Sequence, residues 1–328
     1  MELNNYTIIN SCCIDGITKM KEDRQKIQLT VTSPPYYNVK DYVNYSNYNE
    51  YLDTLKKVFS LIYEITDDGR MCCVNLSNIL IQRENRNSES IRVPLAYHFV
   101  PLMEEIGWKF IEDIIWIKPE GSVKNRNGCF YQHRQPIAYK PNIVNEYVFV
   151  FQKPCKYLID KIVRSYDAVK SLNSKIDDDY ERTNIWKINP ETNSEHPAPF
   201  PEILAENLIK YYSFVGDVIL DPFIGSGTTA ISAYKLNRKC IGFEIHPEYI
   251  KIFEDRIKDT QRKFTVINNI SINKDDYLGL NETEIKLKLH KYPKKHLLEL
   301  LEKDNKYKKF GKNDLIAAVY TLHFMNST

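Results

Sequence analysis

The chain has 328 residues, enough for one large α/β domain with an insertion or for two modest domains. With 43% hydrophobic and 27% charged residues it reads as an ordinary soluble globular protein, not a disordered or fibrous one. A formal net charge of +2 excludes nucleic-acid binding by bulk charge alone, so any such contact must come from local patches.

The seven cysteines, Cys12, Cys13, Cys72, Cys73, Cys129, Cys155 and Cys240, show no CxxC zinc spacing. Reduced thiols in a reducing compartment and no metal site are the expectation. The N-terminal stretch lacks a cationic segment followed by an apolar run, so no signal peptide is expected. No apolar stretch is long enough to span a bilayer, and the expected location is the cytoplasm. The 23 Tyr, 14 Phe and 3 Trp read mainly as core and surface, with some suited to stacking on bases.

In chain order, alternation at Ile27, Leu29 and Val31 predicts a short strand ending at Ser33-Pro34-Pro35. Helical spacing of Tyr51, Leu52, Leu55, Val58, Phe59 and Ile62 predicts a helix between Tyr48 and Tyr63. The apolar run Met71 to Leu76 follows the turn signal Asp67-Asp68-Gly69 and reads as a buried strand. Within Ile91 to Met103 a helix is expected after its Pro, and strands at Ile111 to Ile117 and Glu146 to Phe151. This alternation favours a largely parallel sheet. The polar stretch 153–182, with Asp177-Asp178-Asp179, breaks the rhythm and reads as an insertion. A helix opened by Pro201, a strand at Val218 to Leu220, a helix through Ala230 to Leu236, a strand at Cys240 to Glu244 and a helix from Pro247 follow. From about Thr265 the chain turns basic, with lysines from Lys286 to Lys312.

Asp221-Pro222-Phe223-Ile224-Gly225-Ser226-Gly227-Thr228-Thr229 is a strand, a glycine turn and a helix start. Two glycines allow close approach to the backbone, and exposed N–H groups at the helix start favour an anion. No Lys follows the second Gly, which excludes a Walker loop, and the three-glycine dinucleotide fingerprint is absent. A plain tight turn and a site for a carboxylate ligand, such as the methionine end of S-adenosylmethionine, are the two readings. Glu244, ending the next strand, favours the second, because an acid there can hold both ribose hydroxyls.

These residues resemble the cofactor motif of the DNA amino-methyltransferases. His196-Pro197-Ala198-Pro199-Phe200-Pro201 resembles the segment that precedes it in the β-ordered subgroup. The resemblance runs from about Tyr6 to Lys258. It takes in Asp113 to Pro119, Asn145 to Phe149 and Thr183 to Trp186. It implies an α/β S-adenosylmethionine-dependent methyltransferase (Rossmann-like) fold, circularly permuted, with a mostly parallel sheet and helices on both faces. It also implies S-adenosyl-L-methionine as cofactor, lined by Asp221, Pro222, Phe223, Gly225, Gly227, Thr228, Thr229 and Glu244 and closed by Pro199 and Phe200. One departure is Cys12, which stands where family members carry Asp near the cofactor adenine.

Thr32-Ser33-Pro34-Pro35-Tyr36 leaves a strand directly. By itself this is a proline-rich strand exit with a packed Tyr. Beside the cofactor motif it looks like the family's catalytic segment. An exocyclic amine is a poor nucleophile because its lone pair is delocalised into the ring. Acceptors on its N–H bonds favour the tetrahedral nitrogen formed in attack, and the Ser33 hydroxyl and Pro34 carbonyl can supply them. Pro34 and Pro35 stiffen the loop, and Tyr36 offers a stacking face to a base swung out of the duplex. Ser at the first position goes mostly with cytosine N4 in this family, and Asp with adenine N6. Cytosine C5 chemistry needs a Cys nucleophile, which Pro154-Cys155-Lys156 does not match.

The resemblance thus implies a site-specific cytosine-N4 DNA methyltransferase of a restriction–modification system. Adenine N6 methylation is the alternative, and a silent DNA-binding subunit a more distant one. Its substrate is double-stranded DNA; a cognate restriction endonuclease is the partner it implies, and a homodimer is among the assemblies it allows. Residues 1–152 form the catalytic half, 153–182 a target-recognition insertion, 183–264 the cofactor-binding half and 265–328 a basic extension. Lys124, Arg126, His133, Arg134 and Lys140 form either a solvated loop or a DNA-contacting one. The tail is either a solvated helix face or a DNA clamp.

Overall fold

The alternation of apolar runs and amphipathic stretches becomes, in the computed structural model, ten strands and eight helices among the described residues. Those residues are 5–37, 45–81, 85, 87–88, 90–123, 136–137, 141–176, 178, 180–191, 201–269 and 316. The strands are β1 (Tyr6–Asn10), β2 (Ile27–Thr32), β3 (Thr66–Leu76), β4 (Ile79–Ile81), β5 (Ile91–Val93), β6 (Lys109–Ile117), β7 (Asn145–Gln152), β8 (Ile185–Lys187), β9 (Val218–Asp221) and β10 (Lys239–Glu244). The helices are α1 (Cys13–Glu22), α2 (Tyr48–Ile65), α3 (Leu95–Ile106), α4 (Ile159–Ser165), α5 (Ala168–Asn173), α6 (Glu202–Tyr212), α7 (Thr228–Lys235) and α8 (Pro247–Asn269). No helix among them is long and apolar enough to cross a membrane.

Eight strands form one sheet in the order β1-β10-β9-β2-β3-β7-β6-β8. The five strands from β1 to β3 run parallel, β7 runs against β3 and β6, and β8 is parallel to β6. The mostly parallel α/β architecture expected from the sequence is borne out. α1, α2 and α3 bury Ile17, Leu55, Phe59, Ile62 and Phe99 against Cys72, Val74, Leu76 and Phe151. Strand residues of opposite parity, such as Leu29, Val31 and Ile219, are also fully buried. α6 packs on α7 and β2, and α7 on β9 and β10, with Leu204, Leu208, Ala230 and Ile231 buried.

One local expectation is corrected. Asp67-Asp68-Gly69 is no turn before a strand: β3 begins at Thr66, and the extra residues are taken up as a bulge, with Gly69 at φ 77°. Its register on β2 jumps from Ile27↔Thr66 to Leu29↔Met71. The helix expected after the Pro of 91–103 starts at Leu95, directly behind Pro94, while Ile91–Val93 pairs with Ile79–Ile81 as a hairpin.

The stretch 153–182 holds α4 and α5 and meets the amino-terminal ends of the parallel strands. Lys153 exchanges backbone hydrogen bonds with Gly69 and Arg70. Tyr166 stacks on Phe214 at 4.0 Å and donates to Asp217 Oδ1 at 3.0 Å. Asp217 also forms a buried ion pair with Arg70, whose guanidinium lies over both rings. The chain divides into two units, 1–255 and 256–328. In the second, Thr260 donates to the Arg256 carbonyl at 2.9 Å.

Candidate active site

β2 and β9 are neighbours in the sheet, yet the crossovers leave them in opposite directions, β2 towards β3 and β9 towards β10. Such a divergence opens a crevice at the carboxyl ends of the strands, where ligands of open α/β sheets bind. Both sequence motifs stand there, Ser33 to Tyr36 after β2 and Asp221 to Thr229 after β9.

The two are tied together by one carboxylate. Asp221 Oδ1 accepts from the Thr32 hydroxyl at 2.6 Å and from the Phe223 N–H at 3.1 Å. Its Oδ2 accepts from the Thr229 hydroxyl at 2.7 Å. Burial pushes the Asp221 carboxyl up to about 6, against the lowering effect of the Thr32 and Thr229 hydroxyls. Asp221 is thus a fully engaged knot beneath the site, and the sequence alone did not reveal that Thr32 is its partner.

The turn over this knot needs its glycines. Gly225 and Gly227 adopt φ 52° and 83°, the left-handed region. A Cβ on Gly227 would stand 2.1 Å from the Phe253 ring. Glu244 closes the turn from β10: its Oε2 accepts from the Gly225 N–H and its Oε1 from the His246 N–H, both at 2.9 Å. Each oxygen keeps lone-pair capacity for a hydroxyl. Pro222, Thr228 and Thr229 are buried, whereas the Phe223 ring is half-exposed. Ser11 N–H and the Asn10 amide both donate to the Glu244 carbonyl, which fixes β1 beside the turn. A left-handed glycine turn, a helix start and a strand-end carboxylate fit the carboxylate and ribose ends of S-adenosyl-L-methionine. Pro199 and Phe200 lie outside the described residues.

At the end of β2, Pro34 is buried while Ser33, Pro35 and Tyr36 are half-exposed. Ser33 donates its hydroxyl to Asn75 Oδ1 at 3.3 Å. Asn75 is itself buried on β3, and its Nδ2 donates to the Tyr147 carbonyl at 3.3 Å. A carbonyl only accepts, so the amide of Asn75 must turn its oxygen towards Ser33. That uses the Ser33 proton and leaves the lone pairs of Oγ directed elsewhere. Asn75 is absent from the sequence-predicted site, although an amide inside the apolar run Met71-Cys72-Cys73-Val74-Asn75-Leu76 is the available signal. The Tyr36 hydroxyl is buried beside Glu146; burial, then that carboxylate, raises the phenol well above its ordinary value. Glu146 in turn pairs with Lys118.

Cys12 is the N-cap of α1, exposed and without a side-chain cap hydrogen bond. Lys124, Arg126, His133, Arg134 and Lys140 lie outside the described residues. The strands flanking them end at Ile117 and begin at Asn145, and those two residues pair at the carboxyl end of the sheet.

The DNA methylase family model, N6_N4_Mtase, matches residues 27–255. The orphan methyltransferase M.BamHII of Bacillus amyloliquefaciens is 31% identical over 261 residues, covering 71% of this chain and 89% of that protein. The type II methyltransferase M.SmaI of Serratia marcescens is 28% identical over 266 residues, 72% of this chain and 85% of its own. The type II β methyltransferase M.BslI of Bacillus sp. (strain NEB-606) is 30% identical over 235 residues, 69% of this chain, but the match spans only 25% of that longer relative. Among solved structures, the DNA modification methylase TTHA0409 of Thermus thermophilus, complexed with S-adenosyl-L-methionine, superposes with a TM-score of 0.63 at 24% identity over 78% of this chain and 94% of its own. By family match and fold together, the chain belongs to the N4/N6 DNA methylase family and is a DNA methyltransferase that uses S-adenosyl-L-methionine.

Proposed function

We propose that this methyltransferase modifies N4 of cytosine in duplex DNA, with Ser33, Pro34, Pro35 and Tyr36 as its catalytic segment. The observation that carries this reading is the Ser33–Asn75 hydrogen bond, in which Ser33 is the donor. Ser33 is thereby an uncharged acceptor towards the crevice, suited to an amine that keeps its protons until the methyl has arrived. The Pro34 carbonyl is the second acceptor, and Pro35 stiffens the turn. The half-exposed Tyr36 ring takes the flipped base on its face.

When bound, S-adenosyl-L-methionine supplies an electrophilic methyl group. On this reading Gly225, Gly227 and Thr228 bind its carboxylate end, Glu244 its ribose, and Phe223 with Pro199 and Phe200 its apolar parts. Asp221, Pro222 and Thr229 hold the turn in shape. The amine attacks in line, so the protein's main task is orientation, with no covalent enzyme intermediate.

The same acceptor pair would serve adenine N6, and only the uncharged Ser33 favours cytosine. The DNA candidates Lys124, Arg126, His133, Arg134 and Lys140 belong to a connection whose flanking strand ends lie on the catalytic side, which supports phosphate contacts there. The basic stretch 265–328 adds a clamp in this proposal. Relatives named as type II methyltransferases support a modification role beside a cognate restriction endonuclease, and the proposal sets that role in the cytoplasm. Single-turnover kinetics test the residue roles. Ser33→Ala is expected to slow transfer by about 10²–10³ with cofactor affinity unchanged, and Asn75→Leu to slow it in the same direction. Wild-type rates in Ser33→Ala would remove Ser33 from the mechanism.

A further inference from the structure

Of the stretches the sequence offers for DNA recognition, 153–182 is the one that lies largely within the described residues. The described part of 153–182 contacts Gly69, Arg70, Phe214 and Asp217, all at the amino-terminal ends of β3 and β9. Ser33 and Asn75 stand at the opposite end. From Met71 to Asn75 the strand alone climbs about 13 Å at roughly 3.3 Å per residue. A second element, assigned no role so far, does sit at the catalytic end. Only Ser77 and Asn78 separate the end of β3 from the β4–β5 hairpin.

This hairpin is built, not draped. Leu76 and Ile79 are buried at its root, and Asn78 Oδ1 accepts from the Ala96 N–H at 3.3 Å, joining it to the start of α3. The pairs Ile79↔Val93, Leu80↔Arg92 and Ile81↔Ile91 form its ribbon. At its tip Asn85 N–H donates to Ser88 Oγ at 3.1 Å and Asn87 N–H to Asn85 Oδ1 at 2.8 Å. Outward it shows Asn85, Asn87, Ile91 at 59% exposure and Arg92, which has no ion pair among the described residues. Tyr97, at the start of α3, is 63% exposed. Its hydroxyl meets that of Tyr147 at 3.4 Å, and the Tyr147 carbonyl accepts from Asn75. A continuous chain of contacts therefore runs from Ser33 through Asn75 and Tyr147 to Tyr97.

We propose that the β4–β5 hairpin with Tyr97 is a DNA-contacting surface of this methyltransferase, and that 153–182 is a structural brace and not the recognition insertion. A guanidinium with no ion pair among the described residues is suited to a phosphate or a guanine edge. Side-chain amides are the groups that read adenine edges, and a two-stranded ribbon has the width a major groove admits. The exposed Tyr97 ring gives an apolar face to sugar or base. The proposal rests on the DNA methyltransferase assignment.

The experiment is binding of the full-length protein, with S-adenosyl-L-homocysteine present, to a fluorescent duplex carrying the site mapped from methylated DNA of an expressing host. Wild-type binding establishes the DNA reading independently of the hairpin. Arg92→Ala is expected to weaken binding about tenfold and to lower the salt slope by about one. Asn87→Ala and Tyr97→Ala are expected to weaken it as well. Cofactor affinity and melting temperature, measured on each variant, should match wild type. The double variant Lys161→Ala/Arg164→Ala, in α4, is expected to leave DNA binding unchanged. Wild-type affinity and salt slope in a folded Arg92→Ala/Tyr97→Ala variant would overturn the proposal. So would a loss of binding confined to the α4 variant.

Discussion

The Thr32 hydroxyl donates to Asp221 Oδ1 at 2.6 Å, across 189 residues of sequence. Thr32 precedes Ser33, the proposed catalytic residue, and Asp221 opens the glycine turn proposed to hold the cofactor, so this bond sets the two halves of the proposed site against each other. Thr32→Val keeps the shape but leaves a buried carboxylate oxygen short of a donor. Urea unfolding is expected to show a loss of about 1–3 kcal/mol. Transfer should slow more than cofactor binding weakens, because Thr229 and Phe223 still hold Asp221.

The Asp221 carboxyl also sets a pH dependence. Its folded value is raised by burial from 3.8 to about 6, so the folded chain holds this proton where the unfolded chain has released it. Its contribution to stability is present below about pH 4 and lost as pH rises through about 6. A shift of this size corresponds to about 3 kcal/mol. Relative to Asp221→Asn, the wild type should therefore lose about 2 kcal/mol of it between about pH 4.5 and about pH 7.5, the rest having gone below about pH 4.5. Unfolding titrations of both proteins at the two pH values check it, and a pH-independent difference would refute the raised carboxyl.

Cys12 occupies the N-cap of α1 and makes no capping bond. Asp is among the best residues for that position. Cys12→Asp is expected to stabilise the protein by about 1 kcal/mol, read as a rise of a few degrees in melting temperature. No rise would mean that the start of α1 gains nothing from a cap.

Gly227 combines φ 83° with the Phe253 ring against its α-carbon. Gly227→Ala is expected to weaken S-adenosyl-L-methionine binding at least about tenfold, measured by calorimetry, with a clear drop in melting temperature. Unchanged affinity in that variant would detach the turn from cofactor binding.

Much of this architecture was legible in the sequence because its signals are local. The parity of Ile27 to Val31, the helical spacing from Tyr51 to Ile62 and the glycine turn after Asp221 each announce their element within a few residues. What was not legible depends on distant partners. Asn75 is one amide in an apolar strand until the fold sets it under Ser33. Gly69 looks like a turn signal until pairing with β2 absorbs it as a bulge. The hairpin strands Ile79–Ile81 and Ile91–Val93 are three residues each, too short to show a period. The polar character of 153–182 marked a break in the rhythm, but composition says nothing about which end of the sheet it meets.

The base that receives the methyl group is the central claim, and it is read directly from product. Duplex DNA is incubated with the enzyme and S-adenosyl-L-methionine carrying an isotopically labelled methyl, digested to nucleosides and separated by mass spectrometry. The expected result is labelled N4-methyldeoxycytidine, strongly reduced with Ser33→Ala. Labelled N6-methyldeoxyadenosine alone would contradict the cytosine assignment while leaving the acceptor mechanism in place, and labelled 5-methyldeoxycytidine would contradict both.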